Sequence, residues 1–406
     1  MFFSKTPQPK SLPPQPSPPE WAENELGESG RSCDDLLYFP GSPEFADSET
    51  GFHTAQANEV RSAAVARPTS TAEVSALVKA LKRSLPPSDL WDALRGGSTN
   101  FGIVTAVEME CFPHPAHFRC AYMFYLTPAR QATLEALVKL SRRPFDAALA
   151  EGQTEPVVDH VIWSITHVPY VPVKIIAVSS SSTGAVGRDN LSEFVAPWTR
   201  IPGTPTPREV THGAYAKEVG DLAKKDGSRN SYKSISVKLD LDLLNTIIDM
   251  WYGLVRRTRH TAGLMNTLAF LPVPACVIEA SCARRRRNAH NAQDGGGTEA
   301  TANFFGLRPE DGPLVIVEIC HNWYHATDDA EAFAPVDAFL RDVDRVASER
   351  GLGSRWVFPN YAQPDERVMQ AYGQDRLAQL RRVASKWDPE GFFQKRVVGG
   401  FKIEEP

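Results

Sequence analysis

A glycine-rich segment near residue 100 has the residue types that allow a ligand to approach the main chain. Its members of interest are, in order, Gly96, Gly97, Asn100, Gly102, Ile103 and Val104. Glycine has no Cβ, so it adopts positive φ readily and permits close contact with its backbone. The β-branched pair at the end favours the start of a strand. The segment therefore predicts either a tight turn that leads into a strand or a backbone surface that contacts a ligand.

A second group of residues that could do chemistry lies near residue 320. His321, Trp323 and His325 alternate, so a strand would place all three side chains on one face. Two histidines on one face suggest a metal ion, but no carboxylate or third ligand accompanies them as a zinc site requires. We therefore predict no metal site. The hypothesis that these three side chains line a substrate pocket stays open.

Other patterns disfavour several classes of protein. The sequence has no G-x-S-x-G, P-loop or strand-linked G-x-G-x-x-G pattern, which argues against hydrolases, nucleoside triphosphatases and Rossmann enzymes. None of the six cysteines has C-x-x-C spacing. The net charge is −5, and the one dense basic run, at 284–287, has no interleaved aromatic residues. We predict that this run belongs to a solvated loop and that the protein binds no nucleic acid.

Three separated regions carry motifs that occur in a fixed order in one family. The C-terminal region contains Pro359-Asn360-Tyr361-Ala362, Tyr372-Gly373, Asp388-Pro389-Glu390-Gly391 and Gly399-Gly400-Phe401. The upstream region contains Phe39-Pro40-Gly41-Ser42 and the stretch 66–74. Together with the glycine-rich segment, these motifs resemble those of fungal FAD-linked oxidoreductases of the berberine-bridge-enzyme-like family. That family has a vanillyl-alcohol-oxidase-type flavin domain, and the resemblance covers residues from about 31 to the C-terminus.

The resemblance implies FAD as the cofactor and assigns roles to particular residues. The residues expected to line the flavin with backbone groups are Gly96, Gly97, Asn100, Gly102, Ile103 and Val104. Asn360 and Tyr361 are expected beside the flavin ring, and Tyr361 is a candidate for proton transfer. A tyrosine needs a neighbour that lowers its pKa from about 10 before it works as a base. The resemblance also aligns Trp323 with a tryptophan of the family's core.

One part of the family pattern is missing from this sequence. In the family, the helix after the upstream motif is followed by a long stretch that builds most of the flavin domain. Here residues 82–88 join that helix directly to Asp89. The histidine and cysteine that bond the flavin covalently in many relatives therefore have no counterpart. Either the cofactor cradle has been lost, or a gene model has skipped it.

Apolar periodicity predicts the elements that position these groups. Strands are expected at about 118–126, 157–166, 172–179, 232–238, 266–271 and 313–320. Helices are expected at about 71–83, with a capping box of Ser70 and Glu73, and at the apolar repeats of 134–138, 243–255 and 377–387. Strands mixed with helices describe an α+β fold. The resemblance implies a truncated two-lobed FAD-binding domain plus a substrate domain whose antiparallel sheet is covered by helices.

The predicted domain boundaries follow from composition and from the resemblance. Residues 1–30 are expected to form a disordered, proline-rich tail. Residues 31–105 are the remaining N-terminal part of the FAD-binding domain, 106–353 the substrate domain, and 354–406 a segment that returns to the FAD-binding domain. The sequence shows neither a signal-peptide core nor a membrane-spanning apolar run. We therefore expect no membrane partner, and a cytoplasmic protein if it is translated as written.

Two functional hypotheses remain. The first is an FAD-linked oxidoreductase of a fungal secondary-metabolite pathway, which oxidises a small organic substrate by hydride transfer to the flavin and uses molecular oxygen as acceptor. The alternative is a flavin-free protein, either a degenerate remnant or a module that binds or cyclises a substrate without redox chemistry.

Overall fold

The computed structural model describes residues 37–38, 40–50, 65–70, 73–74, 88–104, 117–142, 159–168, 174–182, 208–222, 227–261, 263–291 and 302–404. The predicted tail, 1–30, lies outside these residues. The chain divides into two compact units, one of residues 1–86 with 102–110 and one of residues 87–101 with 111–406.

The first unit contains a short antiparallel strand pair, β1 (Leu37–Tyr38) and β2 (Val65–Ala66), and the helix α1 (Pro43–Thr50). The predicted cap is present, because Ser70 Oγ accepts a hydrogen bond from the Glu73 backbone N–H at 3.2 Å. The Glu73 carboxylate in return accepts from the backbone of Thr69 at 2.6 Å, one residue earlier than the standard capping box. The predicted helix at 71–83 is described only at 73–74.

The second unit is built around a seven-stranded sheet. Its strands are β3 (Phe118–Leu126), β4 (Asp159–His167), β5 (Ile175–Ser182), β6 (Arg208–Val210), β7 (Arg229–Lys238), β8 (Met265–Val273) and β9 (Leu314–Trp323). Their order across the sheet is β6-β3-β5-β4-β8-β9-β7, and every pair is antiparallel. Six of these strands were predicted. The sequence did not predict β6, because three residues are too few to show an alternating pattern.

The helices of the second unit are α2 (Ser88–Leu94), α3 (Arg130–Ser141), α4 (His212–Leu222), α5 (Leu241–Thr258), α6 (Ala275–Asn291), α7 (Asp329–Glu349), α8 (Val368–Ala371), α9 (Gln374–Trp387) and α10 (Phe392–Lys395). Short 3-10 turns lie at Thr127–Ala129, Pro309–Asp311, Ala326–Asp328 and Pro359–Tyr361.

One face of the sheet is covered by α3, α5 and α7, which bury its largest core. The periodic apolar residues predicted for α5 are all buried, and the Asp240 carboxylate caps this helix by accepting from the Leu243 backbone N–H at 2.8 Å. The indole N–H groups of two buried tryptophans donate hydrogen bonds beneath the helices. Trp163 donates to Thr133 at 2.9 Å, and Trp251 donates to Asn266 at 2.6 Å. The helix layer therefore packs onto the sheet without leaving either indole N–H unpaired.

A smaller core lies on the opposite face, at the β8–β9 side of the sheet. There α2, α6, α8 and α9 pack against apolar residues of these two strands. The prediction of a solvated loop at 284–287 was wrong, because these residues lie in α6. Cys282 is fully buried on that helix, and Arg285 pairs with Asp92 at 3.2 Å and stacks over the ring of Phe304. The side of α6 that packs against the smaller core therefore includes Arg285, which lies inside the basic run.

Candidate functional site

The strands β7, β8 and β9 present alternate residues to the side of the sheet that faces away from α3, α5 and α7. Glu318 stands in one row with its register partners Ser234 and Ala269, and Cys320 stands in the next row with its register partners Tyr232 and Thr267. The intervening residues, such as Val317 and Ile319, point into the larger core. We call the first of these surfaces the open face, although α2, α6, α8 and α9 cover its apolar residues at the β8–β9 side, and we call the second the helix face.

Glu318 is the one acidic residue of β9, and it lies on the open face with only 5% of its surface exposed. Burial raises the pKa of its carboxyl group to about 7. A carboxyl group that titrates near neutral pH is suited to accept and return a proton. The sequence analysis missed this residue, although a single glutamate within the apolar run Leu314–Ile319 was a visible signal.

Tyr361 lies close to this carboxyl group. Its ring stacks on that of Tyr232 with the centroids 5.5 Å apart, and Gln363 fixes the same segment by donating to the Tyr232 carbonyl at 2.6 Å. Burial, followed by the nearby Glu318 and Cys320, raises the pKa of Tyr361. This direction is the opposite of what a tyrosine base requires, so the phenol is suited to donate a hydrogen bond.

The neighbouring side chains are also held in their neutral forms. Burial raises the pKa of the Cys320 thiol to about 12, and the proximity of Cys320, followed by burial, raises the pKa of Tyr232. Neither group supplies a reactive anion at neutral pH. Glu318 is therefore the member of this cluster whose proton can be exchanged near neutral pH.

The three residues predicted to line a pocket do not join this cluster. His321 and Trp323 lie on the helix face with no exposed surface, and their rings stack 5.1 Å apart against Phe333 of α7. His325 is exposed beyond the end of β9. The physical reason is the two-residue period of a strand, which places His321 on the side opposite Glu318 and Cys320. The structure thus puts the sheet between His321 and Tyr361.

The glycine-rich segment forms a tight turn after α2. Gly96 has φ of 83°, and a Cβ on Gly97 would lie 2.1 Å from the Ala93 carbonyl oxygen. Asn100 is fully buried, and its amide nitrogen donates to the carbonyls of Gly97 at 2.8 Å and Phe401 at 2.7 Å. The side-chain oxygen of Asn100 accepts from Gln394 at 2.8 Å. These residues therefore hold the C-terminal segment against the turn.

Residues 102–104, at the end of the glycine-rich segment, differ from the turn in being accessible. The prediction that a strand begins after Gly102 was wrong for the described residues, since residues 102–104 have no regular secondary structure. Ile103 and Val104 are 58% and 54% exposed, and a Cβ on Gly102 would meet nothing within 4 Å. Asn360 is also exposed. These four residues leave backbone or side-chain groups accessible to a ligand.

The chain was compared with known proteins, and no family model matches it. An FAD-dependent monooxygenase of Fusarium proliferatum is 25% identical over 329 residues, which are 78% of this chain and 57% of the relative. The bifunctional solanapyrone synthase of Alternaria solani is 24% identical over 318 residues, which are 78% of this chain and 54% of the relative. The chain is a distant relative of fungal FAD-dependent oxidoreductases, in agreement with the resemblance that its motifs indicated.

The chain spans little more than half the length of the curated relatives it matches. Among solved structures, a variant of a berberine-bridge-like enzyme from Physcomitrella patens matches with a TM-score of 0.50 and 14% identity, over 77% of this chain and 61% of the other. That likeness concerns the fold alone. Within the described residues, no helix is both long and apolar enough to cross a membrane.

Proposed function

We propose that this berberine-bridge-like chain is an FAD-linked oxidoreductase of a fungal secondary-metabolite pathway, and that its open face binds a small organic substrate beside Glu318. The observation that carries the proposal is the buried Glu318 carboxyl group, whose pKa is raised to about 7. Oxidation of an alcohol or amine by hydride loss also releases a proton, and a group that titrates near neutral pH can take it. The relatives' FAD dependence supports the redox part.

Each residue of the cluster has a separate part in this proposal. Glu318 accepts the proton from the substrate O–H or N–H group. Tyr361, which stays protonated, donates a hydrogen bond that orients the substrate, and the Tyr232 ring supports Tyr361 by stacking on it. Tyr361 is thus a positioning donor and Glu318 the base, which refines the role first predicted for Tyr361.

The residues present fit FAD only in part. Asn360 is accessible and would contact the flavin ring. The side chain of Asn100 does not fit such a role, because both of its polar atoms are already paired within the protein, so the predicted contact through the Asn100 backbone stays a prediction. FAD, when bound, would accept the hydride and be reoxidised by molecular oxygen.

The first test is the visible absorption of the purified chain before and after acid precipitation. Yellow protein with a flavin spectrum would support the oxidoreductase. Colourless, folded protein would favour the alternative, a module that binds a substrate without redox chemistry. One observation favours the module without redox chemistry: Gly97 and Asn100 already make close contacts and hydrogen bonds inside the protein.

The second test separates the role of Glu318 from the binding of FAD. Hydrogen peroxide release is measured for the yellow protein with a panel of aromatic alcohols, alone and with Glu318→Gln. We expect the variant to retain its flavin spectrum and to react about 100-fold to 10,000-fold more slowly, as for loss of a general base. Glu331→Gln, the same change at an exposed position of α7, is the matched control and should leave the rate unaltered. Equal rates for Glu318→Gln would rule out its role as the base.

A further inference from the structure

Four polar residues stand in one row across the helix face, near one end of the sheet. The row runs from Ser231 on β7 through His321 on β9 and Asn266 on β8 to His167 on β4, each the register partner of the next. Ser231 is 2% exposed, and His321 and Asn266 have no exposed surface, whereas His167 is partly exposed. The row therefore leads from the margin of the sheet into its interior. We call these four residues the polar row.

The helix layer closes over the polar row. Trp251 of α5 donates to the side-chain oxygen of Asn266 at 2.6 Å, and the Phe333 ring of α7 packs edge-to-face on the His321 ring with the centroids 5.8 Å apart. Because an indole N–H can only donate, this hydrogen bond identifies which atom of the Asn266 amide is the oxygen. The amide nitrogen, Nδ2, needs an acceptor elsewhere.

The polar atoms of the row find no such partners in the protein. Ser231 Oγ, both ring nitrogens of His321, Asn266 Nδ2 and His167 Nδ1 make no hydrogen bond to any described residue. A buried donor or acceptor that lacks a partner loses its hydration without compensation. Register partners have Cβ atoms about 4.5–5.5 Å apart, which is close to the span of two hydrogen bonds through one water molecule. The spacing of the row is thus suited to bridged contacts.

The donors and acceptors of the row match those of water. Burial lowers the pKa of His321 to about 4, so near neutral pH its ring has one nitrogen that donates and one that accepts. Asn266 Nδ2 can only donate. A water molecule can accept from this amide and donate to the accepting ring nitrogen, as buried waters do for polar groups that lack protein partners. Among the described residues, no group of three or more side chains could hold a metal ion instead.

We propose that the polar row binds internal water, with one molecule that bridges the His321 ring and Asn266 Nδ2. This water is part of the folded core, because it completes the hydrogen bonds of side chains that the sheet places beneath α5 and α7. The inference is independent of flavin binding and of the role proposed for Glu318, which lies on the other face of the sheet.

A high-resolution crystal structure of the chain is the first test. We expect an ordered water molecule within about 2.7–3.2 Å of both a His321 ring nitrogen and Asn266 Nδ2. A well-ordered map without this molecule would overturn the inference. Direct hydrogen bonds from the His321 ring to protein groups would overturn it as well.

Variants test the same water in solution. Cross-relaxation between water and the Asn266 side-chain amide, measured by NMR in the laboratory and rotating frames, reports a water molecule that stays bound. We expect this signal in the original protein and in His321→Gln, which keeps a donor and an acceptor. His321→Phe keeps a ring but removes both nitrogens, and it should lose the signal. His325→Phe, the same change at an exposed histidine, is the matched control and should retain it.

Two results in solution would contradict the inference. One is the absence of the signal from the original protein, and the other is its persistence in folded His321→Phe, which would show that the imidazole does not hold the water. If His321→Phe does not fold, the crystal structure of the original protein decides.

Discussion

Neighbouring residues of β9 lie on opposite faces of the sheet, and their side chains have different surroundings there. Glu318 and Cys320 lie on the open face, while His321 and Trp323 lie beneath α7 on the helix face. Both faces remove an ionisable side chain from water. Burial raises the pKa of Glu318 to about 7 and lowers that of His321 to about 4, so each favours its neutral form.

The difference between the faces is what surrounds the neutral group. His321 is enclosed by Trp323 and Phe333, with no exposed surface. Glu318 retains a small exposed fraction; its register partners Ser234 and Ala269 are buried, and the more distant members of its row, such as Ser164 and Phe124, are partly exposed. A shifted pKa therefore indicates a reactive site only on the face that a substrate can reach.

Of the substitutions that compare the two faces, Trp323→Ala on the helix face is expected to reduce stability most. This side chain is fully buried, contacts two aromatic rings, and donates to Asp329 at 2.9 Å. We expect the free energy of unfolding to fall by about 3–5 kcal/mol. Leu126→Ala, at a 43% exposed position of the open face, should cost less than about 1 kcal/mol. Urea denaturation measures both, and similar losses would mean that the faces are equally packed.

The second prediction concerns the change in the free energy of unfolding with pH that the shifted pKa of His321 causes. An unfolded histidine titrates near pH 6.5, and burial lowers the pKa of His321 to about 4, so the unfolded chain binds more protons between these values. The neutral His321 side chain makes its full contribution to the free energy of unfolding above about pH 6.5. This contribution is lost as the pH falls towards 4, by up to about 3 kcal/mol.

Removal of the imidazole tests this prediction. His321→Leu should lose less of its free energy of unfolding than the original protein between pH 7 and 4.5, as measured by urea denaturation at both values. The same loss in both proteins would place the acid-sensitive group elsewhere.

The last of the three effects is of similar size to that of His321 but has the opposite sign, and it belongs to Glu318. An unfolded glutamate titrates near pH 4.3, and burial raises the pKa of Glu318 to about 7, so the folded chain binds more protons between these values. The contribution of Glu318 to the free energy of unfolding is complete below about pH 4.3 and is lost as the pH rises through 7, by up to about 3 kcal/mol.

Glu318→Gln isolates this contribution, since glutamine does not titrate. Relative to the original protein, the variant should gain stability between pH 5 and pH 8, in contrast to His321→Leu, which gains it on acidification. A stability difference that does not change with pH would show that Glu318 is solvated in the folded state.

Local patterns predicted much of the scaffold and little of the site. The alternation in β3, β4, β5, β7, β8 and β9 and the apolar repeats of α3, α5 and α9 are properties of contiguous residues, so the elements were predicted near their observed bounds. The apolar repeat of α7 was equally present but was not recognised. The role of the glycine turn was harder to predict, because Asn100 pairs with Phe401 and Gln394 from the other end of the chain.

The sequence by itself indicated the resemblance to fungal FAD-linked oxidoreductases, through motif order over three regions, and it predicted the strands and helices that have a clear period. Only the tertiary structure decided that Glu318, instead of His321, lies on the face with Tyr361. It also decided the direction of both pKa shifts. The physical reason is that a strand's period assigns residues to two sets, whereas packing decides how each set is covered: α3, α5 and α7 enclose one set, and α2, α6, α8 and α9 cover part of the other.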